Sequence, residues 1–429
     1  MKLLFVSNLY PPHHLGGYEQ LCHEVATRLI ARGHSVQVLT STFGVTALSV
    51  EPGVYRRLLL ESDVYYYRPR QVLRYRSIQA HNRRTVERTL RDVAPDAVVV
   101  WGMWKLSTQV AAQLEKLAGP RVAYYLANEW PNEPSAHEEY WDGAVEGAAG
   151  RVFKGLLRGV VKAALPAEWR PYPLRYQQVM SCSAAVRDNL VAAGVPVAHA
   201  RVIYHGIDPA VYGEAADRAN NQAREQLKVV FVGSLVHHKG VHTAIEAVGR
   251  ALRDDPSAPL TLDILGKGHP DYEAQLRAAV EHWNLSRAVT FHDPIPREQL
   301  PEFLARFNVL VLPSIWAEPQ ARISQEAMAA KLVLVATPTG GTKEILIDGV
   351  NGLAFPPGDA NALAQQLARL LGDRALRERL AQAGWQTVNE RFTMTRMLQE
   401  FEDYLSGAAA SRPDQQMSQR MMPAGERSA

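Results

Sequence analysis

The 429-residue sequence is short of several features that would narrow its chemistry at once. It has two cysteines, Cys22 and Cys182, which make neither a disulfide framework nor a thiolate metal cluster. Both lie in apolar periodic segments and read as buried free thiols of a reducing compartment. No run approaches the roughly 18 uninterrupted apolar residues that a membrane span needs. The opening MKLLFVSN carries one lysine and a short apolar run before Pro11-Pro12; it is too short for a signal-peptide core and reads as a first β-strand. Charge of one sign is also lacking: 47 basic residues face 44 acidic ones, a balance that argues against a nucleic-acid surface. G-x-G-x-x-G is absent, which disfavours a nicotinamide-linked enzyme. No Asp-x-Asp adjoins a strand, which disfavours a metal-held diphosphate, and no metal site is expected. What is left is the composition of a soluble, cytoplasmic globular protein, long enough for two domains.

What the sequence does contain is alternation. Leu3 to Ser7, Val36 to Thr40, Ala97 to Trp101, Val122 to Ala127 and Val179 to Ser183 are apolar β-runs, and a helical pattern follows most of them. Val64 to Arg68 reads as a further strand, and Val72 to Val93 as a helix dense in arginine. The rhythm starts again at Lys228: Val229 to Val232, Leu260 to Leu265, Val289 to Phe291 and Val309 to Leu312 are strands, each leading towards a helix. Repeated strand-then-helix predicts parallel sheets with helices on both faces. The expectation is an α/β fold of two Rossmann-like domains facing a central cleft. Their predicted extents are 1–208, a polar linker at 209–227, and 228–385, with a helix at 386–405 packing back on the first domain and a disordered tail at 406–429. Within 131–176, RVFKGLLRGVVKAAL sets Arg151, Lys154, Arg158 and Lys162 three and four residues apart. Such a helix lies on an anionic membrane surface or packs on its own domain, and the spacing leaves both open.

Several strands end in glycine loops. Pro11-Pro12 and Gly16-Gly17 precede the first helix; Gly233 to Gly240, with Ser234 and Lys239, follows the first strand of the second half; Gly266 follows the next. Adjacent glycines let backbone approach a ligand closely. In NVLVLPSIWAEPQARISQEAMAAKLVLVATPTGG, Glu318 and Glu326 stand eight apart, and Ser324 can cap a helix from Gln325 to Lys331 that holds Glu326 in its first turn. On spacing alone the two glutamates read as surface charge. A carboxylate beside free helix amides nevertheless suits a ligand with sugar hydroxyls at one end and phosphates at the other.

Taken together, six elements resemble the retaining glycosyltransferases of the GT-B fold, family four, also described as glycosyl transferases group one. They are Pro11 to Gly17, His205 to Asp208, Gly233 to Gly240, the pair Glu318 and Glu326 with seven residues between, Gly340-Gly341-Thr342-Lys343-Glu344, and Asp348 to Gly352. The resemblance covers residues 1 to about 405 and is densest over 228–358. It implies transfer of a hexose from a nucleoside-diphosphate sugar (a UDP- or GDP-sugar) to a glycan, lipid-linked or small-molecule acceptor, with no other cofactor. It implies that Lys239 pairs with the diphosphate, that Glu326 accepts from ribose hydroxyls, and that Glu318 lies near the donor sugar. The backbone of Ala321, Arg322 and Ile323, Gly340 and Gly341, and Gly233, Ser234 and Gly266 would line the donor, with Gly16 and Gly17 against the diphosphate from the first domain. Ser234 stands where the family usually has an arginine, Ala321 where it has a glycine, and Asn128 where it often has a histidine. Asn128 can donate a hydrogen bond to a sugar hydroxyl but cannot shuttle a proton. These departures keep open two alternatives on the same fold, a weakly catalytic sugar-nucleotide or glycan binder and a nucleotide-sugar epimerase.

Overall fold

In the computed structural model, residues 1–45, 51–64, 66–143, 148–164, 173–219 and 225–410 are described. They fall into two compact units: Met1–Ser181 with Arg187–Arg201 and the chain from Leu398, and Cys182–Val186 with Val202–Met397.

Unit 1 is built on β1 (Lys2–Ser7), α1 (Gly17–Ala31), β2 (Ser35–Ser41), β3 (Val54–Leu58), α2 (Tyr75–Val93), β4 (Ala97–Gly102), α3 (Thr108–Ala118), β5 (Val122–Leu126), α4 (Ala136–Asp142), α5 (Ala148–Ala164), β6 (Gln178–Ser181), α6 (Ala184–Ala192), whose start up to Val186 belongs to unit 2, and β7 (Arg201–Val202). Its seven strands lie in the order β3-β2-β1-β4-β5-β6-β7, and the pairings from β3 through β6 are parallel. β4 and β5 are buried at every position, which is why they read as unbroken apolar runs. Phe5 of β1 stacks on Trp101 of β4, with ring centroids 5.9 Å apart, and Phe401 tilts against both rings.

Unit 2 follows with α7 (Pro209–Ala219), β8 (Leu227–Val232), α8 (Val241–Asp254), β9 (Leu260–Leu265), α9 (Pro270–His282), β10 (Val289–His292), α10 (Leu300–Leu304), β11 (Val309–Leu312), α11 (Arg322–Ala329), β12 (Val333–Ala336), β13 (Gly352–Ala354), α12 (Ala360–Gly372), α13 (Arg374–Arg391) and α14 (Met394–Ala410), the last continuing into unit 1. The strand order is β10-β9-β8-β11-β12-β13, parallel throughout. Alternate residues feed two cores. Val229, Phe231, Val309, Val311, Val333 and Val335 point to one, and Val230, Leu310, Leu312, Leu334 and Ala336 to the other. Each such Val, Leu or Phe side chain contributes about 1.5–3 kcal/mol by leaving water, so helices must cover both faces. The fold class is therefore the expected one: two Rossmann-like units with parallel sheets. In each, the strand order reverses beside the first strand of the unit, between β1 and β4 and between β8 and β11, where open α/β sheets bind ligands at the strands' carboxyl ends.

Several local expectations fail for physical reasons. Of the strand expected over Val64 to Arg68, Val64 and Tyr66 to Arg68 are not in a strand and Tyr65 lies outside the described residues; the edge strand is β3, whose Tyr55-Arg56-Arg57 centre carries little apolar contrast. A 3-10 turn at Pro69–Arg74 precedes α2, with Pro69 in its first turn. The polar segment read as the start of a linker is helical in α7, which buries Tyr212, Gly213, Ala215 and Ala216. Small residues gave it an apolar face that hydropathy hardly registers. Arg297–Gln299 is a 3-10 turn, leaving α10 five residues long. The loop expected over 348–352 runs straight into β13. α14 continues to Ala410, and the remainder of the segment read as a tail, 411–429, lies outside the described residues. Both cysteines are buried, and neither forms a disulfide. Among the described residues no helix is long and apolar enough to cross a membrane. In α5, Arg158 and Lys162 both reach Asp142 of α4, at 2.6 and 3.3 Å, and Lys154 donates to the Gly143 carbonyl, so those cations already have partners.

Candidate active site

The carboxyl ends of β8 and β11 flank the strand-order reversal of unit 2, and the loops leaving them meet. Gly240 closes the β8 loop in the left-handed region, φ +69°, and a Cβ there would fall on the carbonyl oxygen of Pro313, at the end of β11. Only glycine lets the two loops approach this closely. Across the contact, the Lys239 ammonium donates to both oxygens of Glu318, at 2.7 and 2.8 Å. Glu318 is 2% exposed and also accepts from the Ser314 hydroxyl. A buried carboxylate is tolerated only with such partners. Gly340 and Gly341 close the other side of it. The Gly341 amide donates to the Glu318 carbonyl at 2.6 Å, and a Cβ on Gly340 would collide with the same carbonyl. Trp316, 41% exposed, lies against the His238 ring at 4.7 Å and 5.4 Å from the Lys239 ammonium. Burial, then the neighbouring Lys239 charge, pushes the His238 pKa down. Gly233 and Gly266 pack loop on loop, and Ser234 faces solvent.

Glu326 is the second buried carboxylate, but its setting differs from the expectation. α11 begins at Arg322 with Ala321 as its cap residue and no capping side chain. Ser324 therefore lies inside the first turn, where its hydroxyl donates back to the Ala321 carbonyl, and Glu326 falls in the second turn. Its charge is answered by Arg297 at 2.5 Å and, more distantly, by Arg322 at 3.9 Å. Arg297 enters from the turn after β10, a position that no spacing in the sequence ties to residue 326.

Residues 214–387 match the family model for glycosyl transferases group 1, and residues 15–211 match the one for glycosyltransferase family 4. The chain belongs to these glycosyltransferases. It is 29% identical to a glycogen synthase of Mycobacterium tuberculosis over 407 residues, 91% of each chain. Its fold is shared with sucrose-phosphate synthase from Thermosynechococcus elongatus (22% identity, TM-score 0.70, 95% and 99% of the two chains). It is shared as well with Anabaena HepE, whose structure is a complex with UDP and glucose (20% identity, TM-score 0.67, 95% and 99%).

In this glycosyltransferase the acidic ends of two of the six motif elements, Glu344 and Asp348, serve the scaffold. The Glu344 carboxylate accepts from the first amides of α6, Ala184 at 3.0 Å and Ala185 at 2.8 Å, and from the Tyr204 hydroxyl at 3.0 Å. A carboxylate on free helix amides complements the helix dipole. Asp348 and Asn351 hold the turn before β13, accepting from the Ala354 and Ile347 amides. His205, expected within a motif loop, is wholly buried, its amide donating to Gln320 and its carbonyl accepting from Gln325; burial first, then Arg322, lowers its pKa to about 3.

The remaining site residues stand in unit 1. Gly16 precedes α1 and Gly17 opens it, with the Glu19 carboxylate folded back on the Gly16 amide at 3.0 Å. The loop before them is held by Arg56 of β3, which donates to the carbonyls of Tyr10 at 3.0 Å and Pro11 at 2.5 Å. Asn128 is half-buried just past β5, beside Glu129, which accepts from Asn189 at 2.7 Å. Arg56, Arg297 and Ser314 escaped the sequence reading; the first two act through partners distant in the chain, and Ser314, only four residues before Glu318, belongs to none of the six motif elements.

Proposed function

We propose that this glycosyltransferase takes a sugar from a nucleoside-diphosphate donor and passes it to a glycan, lipid-linked or small-molecule acceptor, keeping the anomeric configuration and needing no metal. The observation that carries this reading is the Lys239–Glu318 pair at the strand-order reversal of unit 2. An ammonium has three donors, and Glu318 takes two of them. The third is left for a diphosphate oxygen, where a point charge offsets the charge that builds on the leaving group. Glu318, fixed by Ser314 and Lys239, is in turn placed for the donor sugar. Glu326, oriented by Arg297, keeps lone pairs for ribose hydroxyls. The amides at the start of α11, Ala321 to Ile323, and the Gly340-Gly341 backbone complete the donor wall.

Residues 228–385 carry the donor in this reading and residues 1–208 the acceptor. Gly16-Gly17 and Asn128 are its contacts from the acceptor side, Asn128 as a hydrogen-bond donor. UDP is the favoured nucleotide, because HepE, with the same fold, was crystallised with it. Contact with an anionic membrane through α5 would run through the exposed Leu157 and Val160, since the nearby cations are paired.

The test is release of UDP from UDP-sugars in the presence of an acceptor pool, with proton NMR of the product's anomeric centre and a parallel reaction in EDTA. Release of UDP and an axial product from an axial donor are expected, unchanged by the chelator. An inverted product or loss of activity in EDTA removes the corresponding part of the reading. If no nucleotide is released with any donor, transfer itself is ruled out.

A further inference from the structure

Segment 54–93 holds ten arginines against four acidic residues, an excess larger than the net charge of +3 of the whole chain. It forms β3, the edge strand of unit 1, and α2. Beside it lies a cavity of about 620 Å3 whose wall includes Arg68, Arg70 and Arg74. The Arg68 guanidinium lies over the Tyr66 ring, 4.9 Å from its centre. Among the described residues Arg70 and Arg74 have no ion-pair partner, in contrast to Arg158 and Lys162 of α5. An adjoining cavity of about 430 Å3 shares Thr42 and Leu59 with the first and adds Arg57, Arg84 and Arg88.

The cavity wall carries acidic groups as well as arginines. Glu61, 2% exposed and accepting from Gln79 at 3.1 Å, and Asp63 stand in the same wall as Ser62 and Thr42. Carboxylates and hydroxyls of this kind receive sugar hydroxyls and the carboxylates repel an anion, which leaves an oxyanion to the arginines. A guanidinium fork matches carboxylate and phosphate geometry in two parallel bonds. Phe43 and Tyr66 offer apolar surface to the C–H face of a sugar ring.

We propose that this cavity receives an acceptor sugar bearing an oxyanion, a phosphate or a carboxylate, with the anion on Arg70 and Arg74 and the hydroxyls towards Glu61 and Asp63. The proposal rests on the glycosyltransferase reading above and names the acceptor's chemical class.

The experiment is calorimetric titration of the full chain, at fixed ionic strength, with glucose 6-phosphate, glucuronate and glucose, and separately with UDP. One or both anionic sugars should bind at least tenfold more tightly than glucose, and which one does so tells phosphate from carboxylate. In R70Q/R74Q the preference should vanish; both side chains are exposed, and an unchanged unfolding midpoint verifies the fold. Equal binding of all three sugars overturns the proposal, as does a preference that survives in R70Q/R74Q. So does arginine-dependent binding to anionic phospholipid vesicles without any preference among the sugars. Failure of UDP to bind while the sugars behave as stated counts against the donor site alone.

Discussion

The two units share one topology and put different chemistry on it. In both, the loop after the first strand is rich in glycine and lies at the reversal of strand order. In unit 2 that loop ends in Lys239, whose ammonium faces a buried carboxylate from the loop after β11. In unit 1 the corresponding loop contains neither lysine nor arginine and is tied down from outside, by Arg56 through two carbonyls. The topology supplies a place where backbone amides converge. The side chains delivered there make one place a charged centre and the other a rigid backbone surface.

The comparison breaks first at Lys239. Lys239→Ala should lower turnover by two orders of magnitude or more, about 3 kcal/mol, the scale of one lost electrostatic contact to a developing anion. Steady-state kinetics with a UDP-sugar decides it, and near-normal turnover would remove Lys239 from the mechanism. For unit 1 the counterpart is Arg56→Ala, which deletes hydrogen bonds from a charged group to two carbonyls. A loss of about 2–3 kcal/mol in denaturant-derived stability is expected, and a loss below 0.5 kcal/mol would mean that the loop holds itself. Glu326→Ala should weaken UDP binding about tenfold, close to 1.4 kcal/mol, and unchanged affinity in a titration would take Glu326 out of the ribose site.

The smallest effect is a pH slope. Burial holds His205 of unit 2 at about pKa 3 and His137 of unit 1 at about 4. Both stay neutral in the folded chain while the unfolded chain takes up their protons below pH 6.5, so stability rises with pH between about 4 and 6.5 and is lost as the pH falls. Each ring contributes at most about 1.4 kcal/mol per pH unit there. His137→Asn and His205→Asn should each flatten the slope by up to one proton, and a slope unchanged in both variants would show that these rings titrate normally.

Much of this could be read from the sequence, where physics leaves a strong periodic trace. β4, β5, β11 and β12 are buried on both faces, so they stand out as unbroken apolar runs. The glycine loops stand out because the backbone at Gly240 and Gly340 excludes any side chain. What was hidden has weak local contrast. β3 is an edge strand with two arginines at its centre, and α7 buries alanines and a glycine that look neutral in a polar stretch. The helix carrying Glu326 starts earlier than Ser324 promised, because a serine in the first turn can satisfy itself on the backbone. The pairings of Arg297 with Glu326 and of Arg56 with the Pro11 loop span 29 and 45 residues and exist only once the sheets have formed.

The bidentate pairing of Lys239 with Glu318 also bears on how a ligand arrives. From beyond a Debye length, about 8 Å at physiological salt, the two charges cancel and the site attracts an anion little. In the proposed donor site recognition would then be a short-range exchange, in which a phosphate oxygen takes up the ammonium's remaining donor after contact. The association rate for a nucleotide should accordingly vary little with ionic strength, unlike that of a site that gathers its ligand through a field of uncompensated charge.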